Sequence, residues 1–146
     1  MNNTTNGFYI HICSSQSDDA FPDNTTNSFR IALPKNIILL PEGHWYVALI
    51  NAQLPQVLQG FKTDFVRIEL YQCQTSIDCN NVRPTLYKAL EIDLTRGQHL
   101  SPNPLRYIEL LTGDLHTLQF NLTDSNDKPV SFAEGALYCT LHFQRL

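Results

Sequence analysis

Phe29-Arg30-Ile31-Ala32-Leu33-Pro34 alternates apolar and polar residues and then stops at a proline. Successive side chains of a strand point to opposite faces, so Phe29, Ile31 and Leu33 share one side. Pro34 cannot donate to a ladder and closes the pairing. The same period returns along the chain. Phe8, Ile10 and Ile12 share a face in Phe8–Cys13, and Val66, Ile68 and Leu70 lie opposite Arg67, Glu69 and Tyr71 in Phe65–Cys73. Leu118, Phe120 and Leu122 align in His116–Thr123, and Leu137, Cys139, Leu141 and Phe143 in Ala136–Arg145. His44–Leu54 differs, being apolar almost throughout from Trp45 to Ile50 before it stops at Pro55. That is the pattern of a strand covered on both faces.

Weaker signals fill the gaps. Ile37–Leu40 is a short apolar stretch closed by the turn residues Pro41-Glu42-Gly43. Leu86–Leu94 fits a helical face through Leu86, Leu90 and Leu94, and also a strand through Leu90, Ile92 and Leu94; we read it as strand. Ser101–Pro104 is a turn before a short strand at Leu105–Leu110, Asp124–Pro129 is a hairpin-like turn, and Ser14–Thr26 is loop. About eight strands at intervals of roughly 8 to 15 residues, without a long helix, predict an all-β antiparallel β-sandwich. Spacing alone leaves jelly-roll, immunoglobulin-like and barrel topologies open. The expected core joins Phe29, Ile31, Val47, Leu49, Leu118, Phe120, Leu141 and Phe143, with Trp45 as its largest plug. Residues 8–146 read as a single β-sandwich domain and 1–7 as a flexible N-terminal arm.

Composition narrows the function. The 146 residues are 42% hydrophobic and 16% charged, with a net charge of −4. Soluble domains are usually about a quarter charged, and a surface poor in charge suits a protein covered by partners. The ten Lys and Arg residues are scattered singly, without the clustered cations that nucleic-acid binding needs. The opening Met1–Gly7 is polar and uncharged, unlike a signal peptide or a myristoylation site, and no apolar run is long enough for a membrane span. The expectation is synthesis in the cytosol, with Cys13, Cys73, Cys79 and Cys139 as free thiols and the sequons at Asn2, Asn3, Asn24 and Asn121 as chance.

The search for chemistry returns little. The six glycines are isolated, so no phosphate loop is present. Cys139 and His142 stand three apart on one strand, where they point to opposite faces and cannot form a dyad. Asp18, Asp19 and Asp23 lack the ligand spacing of a calcium loop and read as solvated carboxylates. His44 reads as an exposed neighbour of Trp45, and His11, His116 and His142 as ordinary residues on outward faces. The expectation is therefore no catalytic, cofactor-binding or metal site, and no enzyme.

Two stretches carry a resemblance. Phe21-Pro22-Asp23-Asn24-Thr25-Thr26-Asn27-Ser28-Phe29-Arg30-Ile31-Ala32-Leu33-Pro34, continued by Ile37, Leu40, Gly43, Trp45, Val47, Ala48, Leu49 and Pro55, is one. Asp127 to Phe143, with Pro129-Val130, Phe132, Gly135 and Leu141-His142-Phe143, is the other. Both resemble motifs of proteins encoded beside the capsid genes of Polinton (Maverick) elements and adintovirus-like DNA viruses. Asp127 departs from the family's Gly in the turn, and Tyr46 from its acidic residue after Trp. The resemblance implies a jelly-roll-like virion protein: a minor capsid component, either penton (vertex) or cement, that assembles with itself and with other capsid proteins. It implies a homo-oligomer located in the virion after synthesis in the host cytoplasm and assembly there or in the nucleus; the scattered charge and short apolar runs add the expectation of no nucleic-acid or membrane partner. The alternative from another class is a receptor- or glycan-binding attachment head, which would display aromatic residues in loops; Phe21 and Phe61 are the sparse candidates.

Overall fold

A computed structural model describes residues 7–34, 44–78, 81–90, 95–111 and 115–145. Its strands are β1 (Gly7–Cys13), β2 (Ser28–Ala32), β3 (Trp45–Leu54), β4 (Phe65–Leu70), β5 (Ser76–Asp78), β6 (Asn81–Arg83), β7 (Thr85–Leu90), β8 (Gln98–Leu100), β9 (Ile108–Glu109), β10 (Thr117–Thr123) and β11 (Tyr138–Arg145). The apolar stretch Ile37–Leu40 and the Pro41–Gly43 turn lie outside the described residues, as do residues 91–94. Gly7, which the sequence places in the arm, is already a strand residue opposite Gln144.

Two sheets face each other. One runs β1-β11-β3-β8, with β9 also on β3, and the other runs β2-β10-β4-β7. Every pairing is antiparallel. With β8 and β9 counted as one strand and the β5-β6 hairpin set aside, the chain changes sheet after every strand except β4, which pairs with β7. This is the double-sheet jelly roll. It resolves the choice among topologies that strand spacing left open.

Burial explains the sequence periods. Phe29 and Ile31 of β2, Leu118, Phe120 and Leu122 of β10, and Leu141 and Phe143 of β11 all enter one core. Phe29 stacks on Phe120 with centroids 5.0 Å apart, and Phe8 on Phe143 at 5.1 Å. The long strand β3 keeps its phase by a bulge. Its register with β11 steps from Leu49–Leu141 to Asn51–Thr140, so Ile50 has no opposite number. The extra residue moves the inward set from Val47 and Leu49 to Ala52 and Leu54, all four buried. Both faces of β3 are covered at Ala48, as its apolar run predicts.

Three expectations change. Trp45 is not the central plug: it sits at the start of β3, partly buried against the core margin, 5.6 Å from Phe8. The core centre belongs to the Phe29–Phe120 pair instead. The strand expected over Leu105–Leu110 shrinks to Ile108–Glu109, with Leu105 exposed. The strand reading of Leu86–Leu94 holds over β7, where a register shift against β4 lets Leu86 and Ala89 both turn inward while Leu90 is exposed.

Candidate assembly surfaces

The sequence puts Arg67 and Glu69 on the outer face of β4, where water would solvate them. They are buried instead, at 1% and 3% exposure. The cause is the β5-β6 hairpin, inserted between β4 and β7, together with the turn after β10. Asp127 in that turn accepts from Arg67 Nη1 at 3.0 Å and from Arg83 Nη2 at 3.0 Å. Arg83 Nη1 also reaches Glu69 at 3.2 Å, Asn81 Nδ2 donates to Asp127 at 3.3 Å, and Arg67 Nη1 donates to Thr123 Oγ1 at 3.2 Å. Two cations and two anions alternate, so the buried Arg67 and Glu69 each meet an opposite charge, while Arg83 Nε is buried without a hydrogen-bond partner. Asp127 takes φ +62°, a left-handed conformation. Glycine is the usual residue there, but Asp tolerates the region, and its carboxylate ties the hairpin to the sheet.

The locked hairpin shows an apolar outer surface. Ile77 and Val82 are cross-strand partners and are 81% and 68% exposed. A cleft of about 320 Å³ lies on the Ile77 side, lined by Thr75, Tyr87, Lys88 and Arg106. Another of about 300 Å³ lies on the Val82 side, between Tyr71, Pro84 and Leu111. A two-stranded ribbon is marginal alone, so the ion network is what presents this pair of aliphatic side chains.

The outer face of the other sheet carries a band of rings. Tyr9 packs on His142 at 4.5 Å, and Tyr107 meets His142 edge-on, with Tyr107 Oη 2.9 Å from Nδ1. Tyr138 is also exposed on this sheet. The loop aromatics expected of an attachment head are drawn in: Phe21 is half-buried beneath Arg30, and Phe61 packs on the core.

The residues weighed for chemistry fall where strand geometry sends them. Cys139 faces the core, while His142 lies on the outer face among the tyrosines. Asp18, Asp19 and Asp23 are exposed, and among the described residues no three His, Cys, Asp or Glu gather as a metal site. His44 pairs with Glu109 at 2.9 Å. His11 meets Thr140 Oγ1 at 3.0 Å, and His116 is exposed.

Cys13, Cys73 and Cys139 are free thiols; Cys79 lies outside the described residues. Burial pushes the Cys73 thiol up to about 12. Burial, reinforced by nearby Cys13, does the same to Cys139, also about 12. Thiolates are the reactive form, so native alkylation at pH 8 followed by peptide mass mapping should label Cys13 well before Cys73 or Cys139. Equal labelling of all three would contradict the burial. Each buried thiol is neutral in the fold, and its pKa is raised from an ordinary 9.0. Its stabilisation is therefore complete below about pH 9 and is lost as pH climbs toward 12.

The two stretches that carry the family resemblance meet in space. Thr26 Oγ1 donates to the Gly135 carbonyl at 2.9 Å, and Asn27 Nδ2 to the Val130 carbonyl at 2.9 Å. Gly135 has φ +124°, and a Cβ there would stand 3.2 Å from Pro55. Thr26, Asn27 and Gly135 therefore position backbone.

The fold and these surfaces define a jelly-roll domain with an apolar hairpin and a ring-lined sheet. No protein-family model matches the chain, and no curated protein matches it in sequence. Among solved structures it is similar to the penton protein of mavirus, with TM-score 0.67 and 6% identity, over 97% of this chain and 100% of that one.

Proposed function

We propose that this chain is a non-enzymatic structural component of a viral capsid, occupying a penton (vertex) position, and that it works by protein–protein assembly into the virion. The observation that carries this reading is the correspondence with the mavirus penton protein along essentially the whole of both chains. The sequence resemblance to capsid-linked Polinton proteins points the same way and rests on different evidence. The exposed Ile77–Val82 pair supplies what assembly needs, an apolar patch held in place by a partly buried ion network. Repeated around a symmetric shell, a modest patch gains strength through multivalency.

The test is to mix the purified chain with the major capsid protein of the same virus and follow co-sedimentation, alongside light scattering of the chain alone. Co-sedimentation and a homo-oligomer are expected. A monomer that stays in the supernatant at every ratio would overturn the reading. Duplex DNA titrated at low salt, where screening is weakest, should show no micromolar binding, because the net charge is −4 and no cationic run exists.

A further inference from the structure

The two sheets treat their outer strands differently. On the β2 edge every outward group from Ser28 to the Ala32 amide is occupied. Ser28 exchanges both backbone bonds with Thr25. The Arg30 amide donates to Asn24 Oδ1 at 2.8 Å, and the Arg30 carbonyl accepts from Asn24 Nδ2 at 2.9 Å. The Ala32 amide donates to Ser17 Oγ at 3.1 Å. The Asn24 of the signature is thus an edge cap.

On β1 the same accounting leaves a gap. Ser14 N–H donates inward to the Leu137 carbonyl, whereas Cys13 N–H points away and is capped by Gln16 Oε1 at 2.7 Å. Backbone groups alternate along a strand, so the amides and carbonyls of Tyr9 and His11 also point away from β11. Among the described residues nothing caps them. β1 carries no charge and no proline, the two devices that normally blunt an edge. Phe8 and Ile10, on its inner side, are only partly buried.

We propose that the β1 edge at Gly7–His11 receives one extended, uncharged strand from a different capsid polypeptide, with apolar side chains at alternate positions. Backbone amides and carbonyls in a row are matched by another backbone, which is β-augmentation. Alternate apolar residues would complete the burial of Phe8 and Ile10, and an edge without charge offers nothing to a charged segment. A single segment fits better than a second whole sandwich, because the loop after β1 stands beside this edge: adjacent residues Gln16 and Ser17 cap β1 and β2 respectively. The partner's identity as a capsid protein rests on the proposed function; the edge itself does not.

Amide exchange on the full chain, alone and with the purified major capsid protein of the same virus, reads this directly. Tyr9 and His11 should exchange fast alone and slow by about tenfold or more in the complex. His11→Pro removes an N–H that no described residue caps, together with the ring's contact to Thr140 Oγ1, so it should keep the melting temperature within a few degrees and weaken co-sedimentation by about tenfold or more. Tyr9→Lys, which puts a charge on the edge, should do the same if the proline variant fails to fold. A complex that forms with both amides still fast, and with the variants binding like the parent, overturns the edge and leaves the assembly reading intact. Protection that grows with this chain's own concentration, without partner, assigns the edge to a second copy and also overturns the proposal. If no complex forms and the chain stays monomeric, the assembly reading is what fails.

Discussion

Phe29→Ala is expected to destabilise the chain by about 3–5 kcal/mol, the usual cost of removing a buried aromatic ring and leaving its cavity. Phe29 is 1% exposed, stacks on Phe120, and sits where β2 of one sheet faces the other. Ile31 and Leu118 beside it are fully buried as well, so the ring is lost from a packed part of the core. A domain of this size has only about 5–15 kcal/mol in hand, so the variant should unfold at markedly lower urea with an unchanged slope. Trp45→Ala should cost less, since that ring lies at the core margin. If the two variants ranked the other way, the centre of the core would be misassigned.

Asp127→Gly separates two effects that act with opposite sign. Glycine relieves the left-handed backbone of residue 127, which favours the variant by about 1 kcal/mol. It also removes the carboxylate that Arg67 and Arg83 share, taking the opposite charge of Asp127 away from a guanidinium that is 1% exposed. Removing one partner of a buried pair costs about 3–5 kcal/mol, and the partial exposure of Asp127 places this case at the low end. The net expectation is a loss of about 2 kcal/mol, reduced by added salt because Asp127 is itself exposed. Cleavage within 76–83 should accelerate under limited proteolysis, since the hairpin loses its tie. A variant as stable as the parent would mean that the turn conformation, not the network, holds the hairpin.

These residues also show what a single sequence reveals. Alternation located β1, β2, β4, β10 and β11 because each has one face on a shared core, and the period is a direct consequence of that burial. Trp45 misled because size was taken for centrality, while the bulge at Ile50 and the pairing partners of β3 decide where each ring lands. The three-residue strands β5, β6 and β8 have no period long enough to read. Arg67 and Glu69 looked solvated because nothing local announces a hairpin folding over them; Asp127 in place of a turn glycine was the one available sign. The open β1 edge was equally hidden, since it depends on the side chains of Gln16, Ser17 and Asn24 reaching some amides and leaving others bare. The exposed Ile77–Val82 pair and the ring-lined face are therefore products of long-range packing, which composition signalled only as a shortage of charge.

The proposed position of this chain at a capsid vertex can be seen by imaging. Particles assembled from the major capsid protein of the same virus, with and without this chain, should be compared by electron cryomicroscopy at a resolution that separates strands. Jelly-roll density is expected at the fivefold vertices in particles that contain the chain, and open vertices in those that lack it. Closed vertices without the chain, or its density confined to projecting fibres, would contradict it.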